Sequence, residues 1–283
     1  MGYRLRGVAS AMVAAAGMAA ATGAALAAGM GKPEYWQVGM QEPVTEVARQ
    51  MHSFHTELMW IITAITLFVL ALLVVVIVKF NENANPTPSK TSHNTAIEIA
   101  WTVVPVLILL LIAIPSFRLL RNQLVIPKAD LTLKVTGHSW YWSYQYPEDQ
   151  GGGFQFDANI VENADLKPGQ PRLLATDNDV VVPVNKVVRV QVTSADVMHS
   201  WGVPSLGFTM DAIPGRLNEI WFKADREGTI YGQCRELCGQ RHAYMPITIR
   251  IVNEAEYATW LTQAKQKFAS TSTDGAKFAD ATR

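Results

Sequence analysis

The 283-residue chain has only two cysteines, Cys234 and Cys238, so it can make one disulfide or give two thiolates to a single metal site, and no disulfide framework is possible. It has no excess of either charge. The 24 Lys and Arg balance the 24 Asp and Glu, which removes the electrostatic basis for a polyanionic partner, so no nucleic-acid binding is expected. Two stretches rich in Leu, Ile and Val, residues 58–78 and 99–117, carry no charge at all. At a rise of about 1.5 Å per residue, each is long enough to cross a hydrocarbon core of roughly 30 Å as a helix. Pro105 and Pro115 lie inside the second stretch, where a neighbouring helix can satisfy the backbone groups that they free.

Between the two runs, residues 79–98 form a short polar loop containing Pro86, Pro88, Ser89 and Ser92. The chain is therefore a membrane hairpin over 58–120, with both flanks in one compartment. Basic residues do not orient it, because Lys79 and Lys90 in the loop compete with Arg118, Arg121 and Lys128 after the second span. The N-terminus does. Arg4 and Arg6 precede an Ala-rich apolar run over 8–26, with Ala25 and Ala27 set as a cleavage site requires. Residues 1–27 read as an export signal, 28–57 as an exported segment, and the hairpin flanks as facing outward. The soluble domain that follows the hairpin would therefore lie outside the cytoplasm.

Beyond Pro127 the period changes to strict alternation, with Leu131, Leu133 and Val135 on one side and Thr132, Lys134 and Thr136 on the other. Further strands are predicted at 139–146, 179–184, 187–193, 219–223, 229–233 and 246–252, separated by Gly, Pro, Asn and Asp turns. Many short strands without intervening helices predict an antiparallel sandwich or barrel over 130–253. Tyr257, Trp260, Leu261 and Ala264 keep helical spacing over 254–268, and a loose tail completes the 254–283 segment.

Chemistry concentrates in the run from Cys234 to Met245, CRELCGQRHAYM, which follows a predicted strand. It carries two thiols, the imidazole of His242 and the thioether of Met245. His199, just after another predicted strand, is within reach if a sandwich folds the two together. Thiolate, thioether and imidazole together favour copper over structural zinc. A Cys234–Cys238 disulfide would leave His199, His242 and Met245 without a use. A single type-one copper would leave one thiolate unexplained. Separately, Trp140, Trp142 and Tyr144 alternate along the strand predicted from Ser139, which reads as an aromatic core face or an interfacial belt.

The run from Tyr231 to Met245, together with DVMHSWGVPSLGFTMD from Asp196 and IPGRL from Ile213, closely resembles subunit II of cytochrome c oxidase. The resemblance implies a two-helix hairpin followed by a cupredoxin-like Greek-key barrel. It also implies a dinuclear copper centre bridged by Cys234 and Cys238, with His199, His242, Met245 and the Glu236 carbonyl as further ligands. The Glu236 carboxylate would reach a Mg²⁺ shared with subunit I. Trp140 would be where electrons arrive from cytochrome c, Asp177 and Asp196 would be docking acids, and Glu98 the mouth of a proton path. The chain would then serve a haem-bearing subunit I and other oxidase subunits, in which oxygen is reduced to water and protons are pumped. Ser139, Gln145 and Arg235 depart from the family pattern. Fourteen acids face eleven bases over 130–253, a small negative excess suited to steering a basic cytochrome. A copper-free quinol oxidase subunit is disfavoured by the intact ligand set. A copper-delivery protein would need neither Trp140 nor a hairpin with Glu98. A nitrous-oxide-reductase-like domain would lack the hairpin.

Overall fold

The computed structural model describes residues 31–268; the predicted export signal lies outside them. Two helices come first, α1 (Glu46–Lys79) and α2 (Thr95–Leu124), and both are long and apolar enough to cross a membrane. Their apolar side chains are turned outward rather than into a core, as Leu67, Phe68, Leu110 and Leu111 illustrate. A soluble helix bundle would bury them, whereas lipid accepts them as they stand. Each helix extends past its charge-free run. Thr45 caps α1 by accepting from Ala48 N, and Asn94 caps α2 by accepting from Ile97 N.

Ten strands follow: β1 (Leu131–His138), β2 (Tyr141–Tyr146), β3 (Phe154–Ala158), β4 (Val180–Pro183), β5 (Val187–Ser194), β6 (His199–Val203), β7 (Phe208–Ala212), β8 (Asn218–Lys223), β9 (Gly228–Cys234) and β10 (Pro246–Val252). They form two five-stranded sheets, ordered β3-β2-β1-β5-β8 and β4-β10-β9-β6-β7. The predicted all-antiparallel arrangement is corrected at two places, since β1 pairs in parallel with β5 and β4 with β10. Three strands escaped the sequence reading. β3 is flanked by glycines, and β6 and β7 are five-residue strands interrupted only by Pro204 to Gly207.

The core is the space between the sheets. Leu133, Val135, Trp142 and Tyr144 from one sheet meet Trp201, Val203, Ile230 and Ile247 from the other, all fully buried. The buried Tyr144 hydroxyl accepts from Trp201 Nε1 at 3.2 Å, so this polar atom inside the core is satisfied. Helix α3 (Glu254–Phe268) closes one side, with Trp260 stacked on Tyr257 and meeting Tyr146 and Phe154 at steeper angles.

The hairpin is tied to the barrel through the first turn of α1. Thr45 Oγ1 donates to Leu206 O at 2.8 Å, Val44 N donates to Ser205 O at 2.9 Å, and Asp225 N donates to Val44 O at 3.0 Å. Gly207 lies against Ala48. Its φ of +83° is left-handed, and a Cβ there would sit 2.6 Å from Ala48 Cα, so this contact needs glycine twice over. Arg49 reaches Asp225 at 2.6 Å, and Trp221 Nε1 donates to Asn122 O at the end of α2. These contacts fix the membrane helices relative to the sheet that carries the thiols.

Thr45 contributes both a helix cap and a buried bond to the barrel. Thr45→Val, which keeps the shape and removes the oxygen, is expected to cost about 1–2 kcal/mol. The check is a lower thermal midpoint of the detergent-solubilised chain, together with faster proteolysis in 31–45.

Candidate metal centre

The thiol-bearing loop is positioned by backbone pairing before any metal is considered. β6 pairs with β9 so that Trp201 faces Cys234 and Gly202 faces Gln233. This register brings His199, the first residue of β6, beside the end of β9, although 35 positions separate it from Cys234. Two backbone bonds then close the loop: Arg235 N donates to Ser200 O at 2.9 Å, and Cys234 N donates to Met245 O at 3.3 Å. Met245 is thereby returned to its starting point, at the entrance to β10.

The donor atoms converge. Cys234 Sγ lies 3.9 Å from Cys238 Sγ, 3.9 Å from His199 Nδ1 and 3.3 Å from the Glu236 carbonyl oxygen. Cys238 Sγ lies 3.5 Å from His242 Nδ1 and 3.5 Å from Met245 Sδ. At 3.9 Å the sulfurs are far outside the roughly 2.05 Å of a disulfide, and both cysteines are free. Two thiols, two imidazoles, one thioether and one carbonyl thus point into one small volume. Cys234, Cys238, His199 and Met245 are buried there. This donor set fits a soft metal.

The electrostatics of the two thiols differ. Burial opposes ionisation of Cys234, but its bonds with His199 and with backbone donors outweigh that and bring its pKa below that of an ordinary thiol. Cys238 goes the other way, pushed up to about 12 by burial and by its neighbour Cys234. His199 is also buried, which disfavours its charged form, yet Cys234 and Asp196 together raise its pKa.

Asp196 has a part that sequence reasoning missed. Its Oδ1 lies 2.8 Å from His199 Nε2, its Oδ2 accepts from Ser139 N at 2.7 Å, and Val197 N donates to Oδ1 at 2.6 Å. Burial works against the carboxylate, but these bonds hold it well below the usual carboxylate range. It therefore directs the second imidazole nitrogen at the sulfurs, while its side chain, 38 % exposed, can still meet a partner. The signal was the i, i+3 spacing of Asp196 and His199, which only became meaningful once the turn before β6 was known.

The aromatic stretch divides. Trp142 and Tyr144 point inward and are fully buried, and Trp142 meets the His199 ring edge-on at 5.8 Å. Trp140 lies instead in the turn between β1 and β2, partly exposed, and its Nε1 donates to the Cys238 carbonyl at 3.1 Å. The strand predicted from Ser139 begins at Tyr141, so the core-face reading holds for two of the three aromatics.

Asp177 and Glu98 lie apart from this cluster, and Glu236 joins it only through its carbonyl. Asp177 accepts from Asn159 N and Nδ2 at 2.8 and 3.2 Å. Glu236 is exposed. Glu98 sits in the first turn of α2, where its carboxylate accepts from Asn94 N at 3.2 Å. An acid there also favours the helix dipole.

The sequence matches two family profiles, described as "Cytochrome C oxidase subunit II, periplasmic domain" over residues 131–252 and "Cytochrome C oxidase subunit II, transmembrane domain" over residues 33–119. The chain is 49 % identical over 239 residues to a probable cytochrome c oxidase subunit 2 of Rickettsia bellii, covering 84 % of this chain and 88 % of the relative. It is 46 % identical over 251 residues to cytochrome c oxidase subunit 2 of Cereibacter sphaeroides, covering 83 % of each. Among solved structures, the periplasmic domain of subunit II of cytochrome oxidase of Bradyrhizobium japonicum is 57 % identical, covers 51 % of this chain and 99 % of its own, and superposes with a TM-score of 0.48.

Removing the Asp196 carboxylate should loosen metal binding without unfolding the barrel. Asp196→Ala is expected to weaken copper retention by about 10–100-fold in competition with a chelator, the usual cost of losing a bond that orients a ligand. Circular dichroism should show the strand content unchanged.

Proposed function

The chain belongs to the cytochrome c oxidase subunit II family, and from that premise we propose that it is the electron-accepting subunit of a haem-copper oxidase in a bacterial inner membrane. In this reading cytochrome c delivers electrons at Trp140, and haem in subunit I receives them for reduction of oxygen to water coupled to proton pumping. The copper domain stands on the periplasmic side, and subunit I and the other oxidase subunits surround the hairpin. The observation that carries the reading is the convergence of Cys234, Cys238, His199, His242, Met245 and the Glu236 carbonyl on one buried volume. Those six groups would hold a dinuclear copper centre, which supplies a one-electron acceptor whose ligands need little rearrangement between redox states.

The chain's own residues do the rest. Trp140 presents a partly exposed indole to a docked protein and hydrogen-bonds the carbonyl of Cys238, so a short connection runs from the surface to a buried sulfur. Trp142 and Met245 wall the donors off from the core side, with Trp142 Nε1 donating to Met245 O at 3.4 Å. Exclusion of water there preserves the thiolate environment. Asp196 keeps the His199 ring in one orientation, and with Asp177 it gives the docking face a negative character toward a basic cytochrome. The exposed carboxylate of Glu236 is free to reach a Mg²⁺ at the boundary with subunit I, an ion that takes one or two carboxylates and keeps its waters.

The purified full-length chain, loaded with copper, should give an electron paramagnetic resonance signal from one unpaired electron shared by two coppers. A signal from a single copper, or retention of zinc alone, would overturn the reading. Within the assembled oxidase, Trp140→Phe should slow electron uptake from cytochrome c by at least about tenfold, a barrier increase of ~1.4 kcal/mol, with the copper signal intact. The rate of association with cytochrome c should fall as salt rises, and a rate flat across ionic strength would remove the docking role of Asp177 and Asp196.

Glu98 has two candidate roles that one variant separates. Glu98→Gln keeps an acceptor for Asn94 N but cannot carry a proton. Lower oxidase turnover in both Glu98→Gln and Glu98→Ala is expected, and normal turnover in Glu98→Gln would leave Glu98 as a helix-capping residue only.

A further inference from the structure

Gly137 stands next to last in β1, paired with Trp142 of β2 on one side and Ser194 of β5 on the other. Glycine inside a strand weakens it and commonly marks a place where something approaches the backbone closely. Nothing in the backbone of Gly137 asks for glycine, since its φ lies outside the left-handed region. What stands in the way of a side chain is His199. A Cβ at Gly137 would lie 2.8 Å from His199 Cδ2, 3.0 Å from Cγ and 3.1 Å from Cβ.

The imidazole has nowhere to retreat. Trp142 meets its ring edge-on, Asp196 Oδ1 holds Nε2 at 2.8 Å, and the ring is fully buried. Its backbone is paired with Ala212 of β7. The turn that carries His199 is itself tied to Gly137, because Ala195 N donates to the Gly137 carbonyl at 3.0 Å.

We propose that Gly137 is a positioning residue for the metal ligand His199: the missing side chain leaves a notch in β1 that receives the imidazole and sets the direction of Nδ1 toward the two sulfurs. This rests on the copper reading given above, which assigns His199 as a ligand. Gly202, in β6, supplies the contrast. A Cβ there would lie 2.5 Å from Arg235 Cγ and 3.1 Å from Thr209 Oγ1, but both belong to exposed side chains able to swing aside. The same added methyl should therefore do little at Gly202 and much at Gly137.

The test uses the full-length chain in detergent, as wild type, Gly137→Ala, Gly202→Ala, His199→Ala and the Gly137→Ala/His199→Ala double variant. In metal-free protein, Gly137→Ala should lower the thermal midpoint when His199 is present and leave it unchanged or raise it when His199 is Ala, since the ring is the obstacle and alanine otherwise suits a strand better than glycine. If Gly137→Ala does not accumulate, His199→Ala should restore it. After copper loading, Gly137→Ala should bind less copper or show altered hyperfine splitting and visible absorption, whereas Gly202→Ala should match wild type.

An equal fall in midpoint in both backgrounds, or failure of His199→Ala to rescue, would overturn the notch. So would a Gly137→Ala chain whose copper content and spectrum equal those of wild type. If wild type gives no shared-electron copper signal, the copper reading fails, yet the metal-free comparison still decides whether Gly137 seats the ring.

Discussion

The pairing of β6 with β9 is the constraint on which the site depends. It aligns Trp201 with Cys234, so the histidine two residues before Trp201 and the thiol at the end of β9 share one end of the sandwich. The bonds from Arg235 N to Ser200 O and from Cys234 N to Met245 O then close an eleven-residue excursion on itself. Donors on a free loop would lose much of their binding energy to ordering, whereas here most of that cost is met by the sheets. The core supplies the rigidity, since Trp142, Tyr144 and Trp201 fill the space directly behind the loop without any exposure.

The same burial sets the chemistry of the sulfurs. Two thiols 3.9 Å apart in a poorly solvated volume cannot both ionise easily, and the structure resolves this by giving one of them a donor. His199 stands beside Cys234 and lowers its pKa, while Cys238 is pushed up to about 12 by burial and by its neighbour Cys234.

Much of this was legible in the sequence, for identifiable reasons. The hairpin was readable because lipid tolerates no charge over a full crossing, and both helices contain the predicted spans and extend beyond them into capped, polar ends. The strands with clean alternation were found nearly to their ends, and β10 and α3 match their predicted limits. β6 and β7 were missed because both are short and the turn between them is only four residues. That omission hid the geometry of His199, which the sequence placed after a strand and the structure places at the start of one. The residues whose donor atoms converge were legible because thiol, imidazole and thioether have few uses in common. The residues that hold them in place were not, because an aspartate in a turn and a glycine in a strand have many uses, and only tertiary contact selects among them.

Asp196 shows why orientation and recognition are hard to separate in such a site. One oxygen is committed to His199 and to Val197 N, the other to the Ser139 amide at the start of the turn that carries Trp140. Ligand ring and exposed indole therefore share one anchor, and the indole is bonded in turn to the carbonyl of Cys238. A partner that pressed on Trp140 or screened the carboxylate would act on both ends of this chain of bonds. Because the barrel behind it is packed and cannot follow such a displacement, the lower-cost response is for the partner to adapt to the turn. In the proposed function, a docking surface built from the supports of its own metal centre would gain specificity from the rigidity that the centre already requires.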